Sequence, residues 1–233
     1  MSGTKRHSSA LIIGASRGLG LALAKEYLAR GWQVTATVRG SARTGLHALA
    51  QPAEDRLAIE QLDINDAGQT RALRARLHGR HFDLLFVNAG VSNGREETLA
   101  TATEADFVQT MLTNAYSPMR VIETLADLVT ENGTIGVMSS GLGSVSNNTS
   151  GGWEIYRGSK AALNTFMRSY AVRQGGGRAM VIIAPGWVRT DMGGPDATLS
   201  IEESIPGVAD AIGSRAGKPG LVYLDYRGQT VPW

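Results

Sequence analysis

The chain has 233 residues, no cysteine and a formal charge of +2, which excludes disulfides and thiolate metal sites and leaves no electrostatic case for a nucleic-acid partner. Its four histidines stand in no ligand spacing, so no metal is expected. The charge is uneven: residues 1–80 hold 12 of the 23 Lys/Arg but 6 of the 21 Asp/Glu, and a positive first third suits a phosphate-bearing ligand.

At the N-terminus, Met1–His7 followed by Ala10–Ile13 imitates a signal peptide, but the apolar run is short and Arg17 interrupts it. No stretch approaches the roughly 18 apolar residues needed to span a bilayer, so a soluble cytoplasmic protein without a membrane partner is the expectation. Apolar runs predict strands at Ala10–Ile13, Gln33–Val38, Leu57–Leu62, Leu84–Val87, Thr134–Met138, Met180–Ile183 and Leu221–Leu224. Helical patterns fill the gaps near 18–30, 66–78, 104–130 and 155–174. Short apolar strands joined by helices imply parallel strands covered on both faces. The expectation is one α/β domain over 1–233, a doubly wound, Rossmann-type sheet of seven parallel strands, with ligands at the carboxyl ends of the strands. Gly141–Gly152 and Gly193–Pro206 read as long loops, and substrate loops are expected at about 141–153 and 187–206.

The first strand runs directly into Gly14-Ala15-Ser16-Arg17-Gly18-Leu19-Gly20 and then a helix. Glycines at such a junction allow a tight turn and close approach of backbone N–H groups to a pyrophosphate, and the helix N-terminus adds partial positive charge. Enzymes that use NAD commonly place Asp or Glu after the second strand, on the adenosine ribose. Here Thr37-Val38-Arg39-Gly40 has no carboxylate. Arg39, with Arg17 in the glycine turn, suits a 2′-phosphate instead, which favours NADPH over NADH. The third strand ends in Leu62-Asp63-Ile64, where the Asp63 carboxylate suits either the adenine amine or a helix cap. The fourth ends in Asn88-Ala89-Gly90, small enough for backbone contact with the adenosine, or a simple turn.

Tyr156 and Lys160 lie four apart at the start of a helical run and so share a face. A free phenol, with pKa about 10, transfers protons poorly at neutral pH. An ammonium at ~4 Å in an effective dielectric of ~20 stabilises its phenolate by about 4 kcal/mol, so Lys160 is expected to lower the Tyr156 pKa. A surface Tyr beside a solvated Lys is the bland alternative. Asn114 falls inside the helix near 104–130, four residues before Pro118. Proline lacks the N–H that would bond the carbonyl of residue 114 and bends the helix there. That carbonyl is then free for a water leading to Lys160, unless the kink serves packing alone.

Together Gly14–Gly20, Asp63, Asn88-Ala89-Gly90, Asn114, Ser139-Ser140, Tyr156-x-x-x-Lys160 and Pro185-Gly186-Trp187-Val188-Arg189-Thr190 resemble the short-chain dehydrogenase/reductase family along nearly the whole chain. Asn148–Gly152, Tyr156–Asn164, Thr190–Ala197 and the ending Leu224–Trp233 look most like the branch of C-factor and sniffer-type carbonyl reductases. One departure is Ile13, where the family usually has Thr before the first glycine; any bond that Thr makes to brace the turn must be absent or replaced. The resemblance implies that Asn114, Ser140, Tyr156 and Lys160 act together. Tyr156 would be the general acid, and base in reverse, and Ser140 a donor to the carbonyl oxygen. Ser140 is preferred to Ser139 because alternate strand residues face opposite ways and the family pattern favours the second serine. Lys160 would also hold the nicotinamide ribose, with Tyr156 beside it. After the tight turn at Pro185-Gly186, Thr190 and the Val188 backbone would hold the carboxamide. Leu142, Trp153, Trp187 and Met192 would wall the substrate or else pack in the core; their apolar bulk suits an aromatic or aliphatic ketone or aldehyde. The expected activity is NADPH-dependent reduction of a small-molecule carbonyl to an alcohol. The alternatives are an NAD-linked alcohol dehydrogenase and a C-factor-like signalling protein that binds dinucleotide. A homodimer or homotetramer pairing the helices of Asn114 and Tyr156 is implied.

Overall fold

The computed structural model describes residues 7–50, 53, 55–92, 94, 96–174 and 177–233; Met1–Arg6 of the basic N-terminal stretch lie outside them. Strand and helix alternate as β1 (Ser9–Ile13), α1 (Gly18–Ala29), β2 (Gln33–Val38), α2 (Gly45–Ala48), β3 (Leu57–Gln61), α3 (Ala67–Arg76), β4 (Phe82–Val87), α4 (Glu104–Met111), α5 (Ser117–Leu125), β5 (Val129–Met138), α6 (Glu154–Arg173), β6 (Ala179–Ala184), α7 (Ile201–Gly213) and β7 (Gly220–Asp225). All seven strands join one parallel sheet in the order β3-β2-β1-β4-β5-β6-β7. The order reverses between β1 and β4, which puts a crevice over their carboxyl ends.

Strands β1, β4 and β6 are apolar at nearly every position because both faces are covered. Leu11, Ile13, Leu85, Val87, Ile135, Val137, Met180 and Ile182 point to one side, where they pack with Leu73 of α3, Ile122 of α5 and Leu163 of α6. Their alternates Ala10, Ile12, Leu84, Phe86, Val181 and Ile183 meet Leu23 and Tyr27 of α1 and Val208 and Ile212 of α7 on the other. The period of two along each strand thus sorts one apolar run into two cores.

Three departures from the sequence expectation have local causes. The helix expected over 104–130 is interrupted: a π turn at Leu112–Tyr116 joins α4 to α5, a 3-10 turn follows at Ala126–Leu128, and β5 already begins at Val129. The wider turn has the Ser117 N–H bonding to the Leu112 carbonyl just before Pro118, which has no N–H to give. The loop expected over 193–206 ends instead at Ser200. Ser200 accepts from the Glu203 N–H at 3.1 Å while Glu203 accepts from the Ser200 N–H at 2.6 Å, a reciprocal cap that starts α7 despite Pro206 within it. Finally, a single helical turn, α2, occupies 45–48, where no element is expected.

Candidate active site

The glycine turn is shaped by what glycine leaves out. A Cβ at Gly14 would fall 2.8 Å from the Ala89 Cβ, and one at Gly20 would fall 2.1 Å from the Gly14 carbonyl oxygen and 2.6 Å from Asn88 Nδ2. Gly14 also sits at φ +86, which L side chains disfavour. This close folding brings the turn against the end of β4 and leaves the exposed Arg17 at its tip. Ile13, buried in the core, makes no brace. Thr37 on β2 supplies it: its hydroxyl accepts from the Gly14 N–H at 2.9 Å and its carbonyl from the Ala15 N–H at 2.8 Å. Asn88 adds a third tie, its amide donating to the Gly14 carbonyl at 2.9 Å. Thr37 is the residue that sequence reasoning passes over. The signal lies in the pairing of β1 with β2, which only the sheet register reveals.

Other expected cofactor residues also line the carboxyl ends of the strands. Arg39 is exposed immediately after β2. Asp63 accepts from the Asn65 N–H at 2.9 Å. It does not cap a helix; Asp66 caps α3, accepting from the Gln69 N–H at 3.0 Å. The Ile64 side chain is buried in the core and its carbonyl accepts from Arg120. Ser16 and Leu19 are half-buried in the glycine turn. Past β6, Pro185 is buried and its carbonyl accepts from Ser204 at 2.6 Å, while Gly186 turns at φ +85. A cleft of about 540 Å³ lies between the two turns, lined by Arg17, Gly18, Thr190, Asp191, Gly194 and Ile201 among others. Arg17 bridges it, 2.6 Å from Asp191.

Asn114, Ser140, Tyr156 and Lys160 converge from three elements. The π turn buries Asn114 completely, and its side chain is fully used: Oδ1 accepts from the Val91 N–H, while Nδ2 donates to the Val91 carbonyl, each at 2.8 Å, and to Ser159 Oγ at 3.0 Å. One amide thus staples the segment after β4 to α6. Gly90 makes room for it, since a Cβ there would lie 3.2 Å from Asn114 Oδ1 and 3.3 Å from Lys160 Nζ. Lys160 is buried and donates to the Met138 carbonyl at 3.0 Å, tying α6 to the end of β5. Just beyond, the two serines part company. Ser139 turns inward and donates to Asn164 Oδ1 at 2.7 Å, whereas the half-buried Ser140 accepts from the Leu142 N–H at 3.1 Å and keeps its hydroxyl beside Tyr156.

The expected lowering of the Tyr156 pKa is not what the surroundings produce. Burial pushes the phenol up to about 12, and the neighbouring Ser140 hydroxyl opposes this only in part. Lys160 Nζ lies 5.8 Å from the phenol ring centre and is itself held down to about 8 by burial. Desolvation is the largest influence on both groups and the only one that moves Lys160. The chemical consequence is a phenol that keeps its proton at neutral pH and is therefore a donor.

The four expected substrate residues differ in exposure. Leu142 and Trp153 are half-buried, and the Trp153 ring meets the Tyr156 phenol edge-on at 6.2 Å. Trp187 and Met192 are 49% and 46% exposed, so neither is a core residue. Trp187 Nε1 donates to the Gly193 carbonyl at 2.8 Å, and Thr190 Oγ1 accepts from the Gly193 N–H at 3.1 Å, which folds the segment after Val188 back on itself.

The chain is similar to known oxidoreductases. The short chain dehydrogenase family model matches residues 8–198, from β1 through the folded segment after Val188. A short-chain dehydrogenase/reductase from Burkholderia multivorans, solved with bound NADP, is 59% identical with a TM-score of 0.96, covering 98% of this chain and all of that one. A carbonyl reductase from Pseudomonas aeruginosa PAO1 in complex with NADP is 37% identical with a TM-score of 0.91, over 98% and 100% of the two chains. The C-signal of Myxococcus xanthus is 38% identical over 154 residues, 65% of this chain and 92% of its own length. On a match that spans both the glycine turn and the Tyr156–Lys160 helix, the chain belongs to the short-chain dehydrogenase/reductase family of oxidoreductases.

Proposed function

We propose that this protein is an NADPH-dependent carbonyl reductase converting a ketone or aldehyde to an alcohol. The observation that carries the reading is the placing of Tyr156 on α6 beside Ser140 at the end of β5, with the buried Lys160 one helical turn on and its Nζ 5.8 Å from the phenol ring centre. Gly90, beside Lys160, and Ala89, beside Gly14, link this group to the glycine turn. A reduced nicotinamide, when bound, supplies the hydride for the carbonyl carbon. Tyr156 gives its proton to the oxygen, and Ser140 donates a hydrogen bond to the negative charge that grows there. Lys160 holds the ribose and favours the Tyr156 phenolate once the proton has left. The Asn114 side chain is occupied, so its role in proton supply falls to the main-chain carbonyl, through a water leading to Lys160. Thr190 and the Val188 backbone orient the carboxamide, and residues 141–153 and 187–200 close over the substrate.

Preference for NADPH rests on Arg17 and Arg39, on the missing carboxylate after β2, and on the NADP bound to the Burkholderia and Pseudomonas relatives. An NAD-linked dehydrogenase working oxidatively is the weaker reading, because the oxidative base would be a phenol whose pKa burial has raised. The exposed Phe107, Val108, Tyr116 and Phe166, on or beside the helices carrying Asn114 and Tyr156, support a homodimer through that face, which sedimentation tests. Rates of NADPH and NADH oxidation on a panel of ketones, aldehydes and quinones test the whole reading. Turnover with NADPH is expected. Equal or better rates with NADH would remove the roles of Arg17 and Arg39, and no turnover at all would leave the C-signal likeness as the guide to function.

A further inference from the structure

The turn leading into α6 is built from three successive left-handed residues: Gly151 at φ +61, Gly152 at φ +67 and Trp153 at φ +56. Glycine adopts this region freely, but a residue with a Cβ does not. Among the described residues only Asp55 shares the condition with Trp153. A strained conformation persists where its surroundings over-determine it, and here one side chain does so. Arg157, one residue after Tyr156, is buried, with its guanidinium turned back under the turn. Its Nε donates to the Gly152 carbonyl at 2.9 Å, and its Nη2 donates to the Gly151 carbonyl at 3.0 Å and to Ser150 Oγ at 3.3 Å. Its own N–H bonds to the Trp153 carbonyl at 2.8 Å. The guanidinium thus ties three consecutive residues, Ser150–Gly152, and the main-chain N–H the fourth; its side-chain partners are two carbonyls and a hydroxyl rather than a carboxylate. From the other side, Glu154 accepts from the Leu99 N–H at 2.9 Å and fixes the first turn of the helix.

We infer that Arg157 is a positioning residue for substrate selection: its side chain clamps Ser150–Gly152 in the left-handed turn, so that Trp153, next in the chain, stands edge-on to Tyr156 and limits the carbonyl substituents the site admits. The inference rests on the reductase reading above. The guanidinium suits the task because its planar fork reaches two carbonyls at once, which an ammonium cannot copy. Without the fork, the turn relaxes and the indole leaves its place beside the phenol. Bulky substituents then enter more easily, while small ones lose a wall.

Arg157→Met, Trp153→Gly and the double variant test this on a matched pair of carbonyls, a branched aryl ketone and a short aliphatic aldehyde, with NADPH. Each single variant is expected to raise the bulky-to-small ratio of kcat/KM by about tenfold, the scale on which apolar walls discriminate. The double variant should raise it no further, because Arg157 acts through Trp153, and NADPH affinity should stay within about twofold of wild type. A wild-type ratio in Arg157→Met, or effects that multiply in the double variant, would overturn the inference. If Arg157→Met does not fold, Arg157→Lys keeps the charge without the fork and decides in the same way: a raised ratio supports the clamp and a wild-type ratio overturns it. Should the wild-type protein reduce no carbonyl, the reductase reading fails separately. The clamp is then judged by fluorotryptophan NMR, where a displaced or broadened Trp153 resonance in Arg157→Lys supports it and an unchanged one overturns it.

Discussion

Two parts of the site are built in opposite ways. At the junction of β5 and α6, Asn114, Ser159, Lys160 and Asn164 are almost wholly buried, and each side chain is hydrogen-bonded to main chain or to another buried group. Across the cleft, the segment after β6 carries Trp187 and Met192 half in solvent, and its bridge to the glycine turn joins two side chains that are 74% and 78% exposed. Buried polar groups cannot exchange partners with water, so a geometry fixed by them is costly to change. Exposed pairs can be remade in solvent and cost little to break. The chemistry is therefore expected on the rigid side, with selection and exchange of ligands on the soft side.

The sharpest way to break this contrast is Tyr156→Phe. Loss of a positioned proton donor is expected to lower kcat by about a hundredfold to ten-thousandfold, with NADPH binding retained, as measured by cofactor fluorescence. A variant that reduces ketones at the wild-type rate would remove Tyr156 from the mechanism. Next is Asn114→Leu, which takes the side-chain partner from the N–H and carbonyl of the half-buried Val91, while the Ser159 hydroxyl keeps its bond to the Tyr156 carbonyl. Each group that loses its partner costs about 1–3 kcal/mol, so a fall in melting temperature of several degrees is expected, at roughly 2–4 °C per kcal/mol for a domain of this size. Unchanged melting would show that the rigid side is not held by this staple.

The pH dependence separates the two ionisable groups. With Lys160 held down to about 8, reductive kcat/KM should be level near neutrality and fall above about pH 8 as the ammonium loses its charge, while Tyr156, pushed up to about 12, adds no break below pH 10. Stability moves the other way in that window. Between about pH 8 and 10 the unfolded chain keeps the Lys160 proton that the folded chain has released, so the Lys160 contribution to stability rises with pH. From about pH 10 to about 12 the sign reverses for Tyr156, because the unfolded phenol ionises first. Chemical denaturation at pH 8 and 10, beside kcat/KM at the same values, checks whether the two curves diverge.

How much of this is legible in the sequence depends on how far each residue reaches. The seven strands show in it as short runs, β5 only from Thr134 onward because its first half, Val129–Gly133, is mostly polar, and Pro118 marks the place where the helix of Asn114 changes pitch. Helix α7 is hidden by Pro206 and by Gly207, whose missing side chain serves a contact with the Tyr226 carbonyl, 2.3 Å from where a Cβ would lie. Spacing places Tyr156 and Lys160 on one face but says nothing of burial, and burial reverses the sign of the phenol shift. Thr37 and the Asn114–Val91 staple are invisible for a related reason, since each joins segments brought together only by the sheet.

The soft side gives the smallest effect and the finest test. Arg17 is proposed to take the 2′-phosphate, yet in this structure its guanidinium is engaged with Asp191 at 2.6 Å. A cofactor phosphate and Asp191 therefore compete for one cation. Asp191→Asn removes the competitor without removing Arg17. An exposed pair of this kind is worth about 0.2–1 kcal/mol, so NADPH should bind up to about fivefold more tightly and melting should hardly move. NADH has no 2′-phosphate to profit from the freed guanidinium, and its affinity should stay where it is. Tighter NADPH alone would place Arg17 at the phosphate. An equal gain for both cofactors would assign the bridge to closing the cleft instead, and Arg39 would then be left as the residue that tells NADPH from NADH.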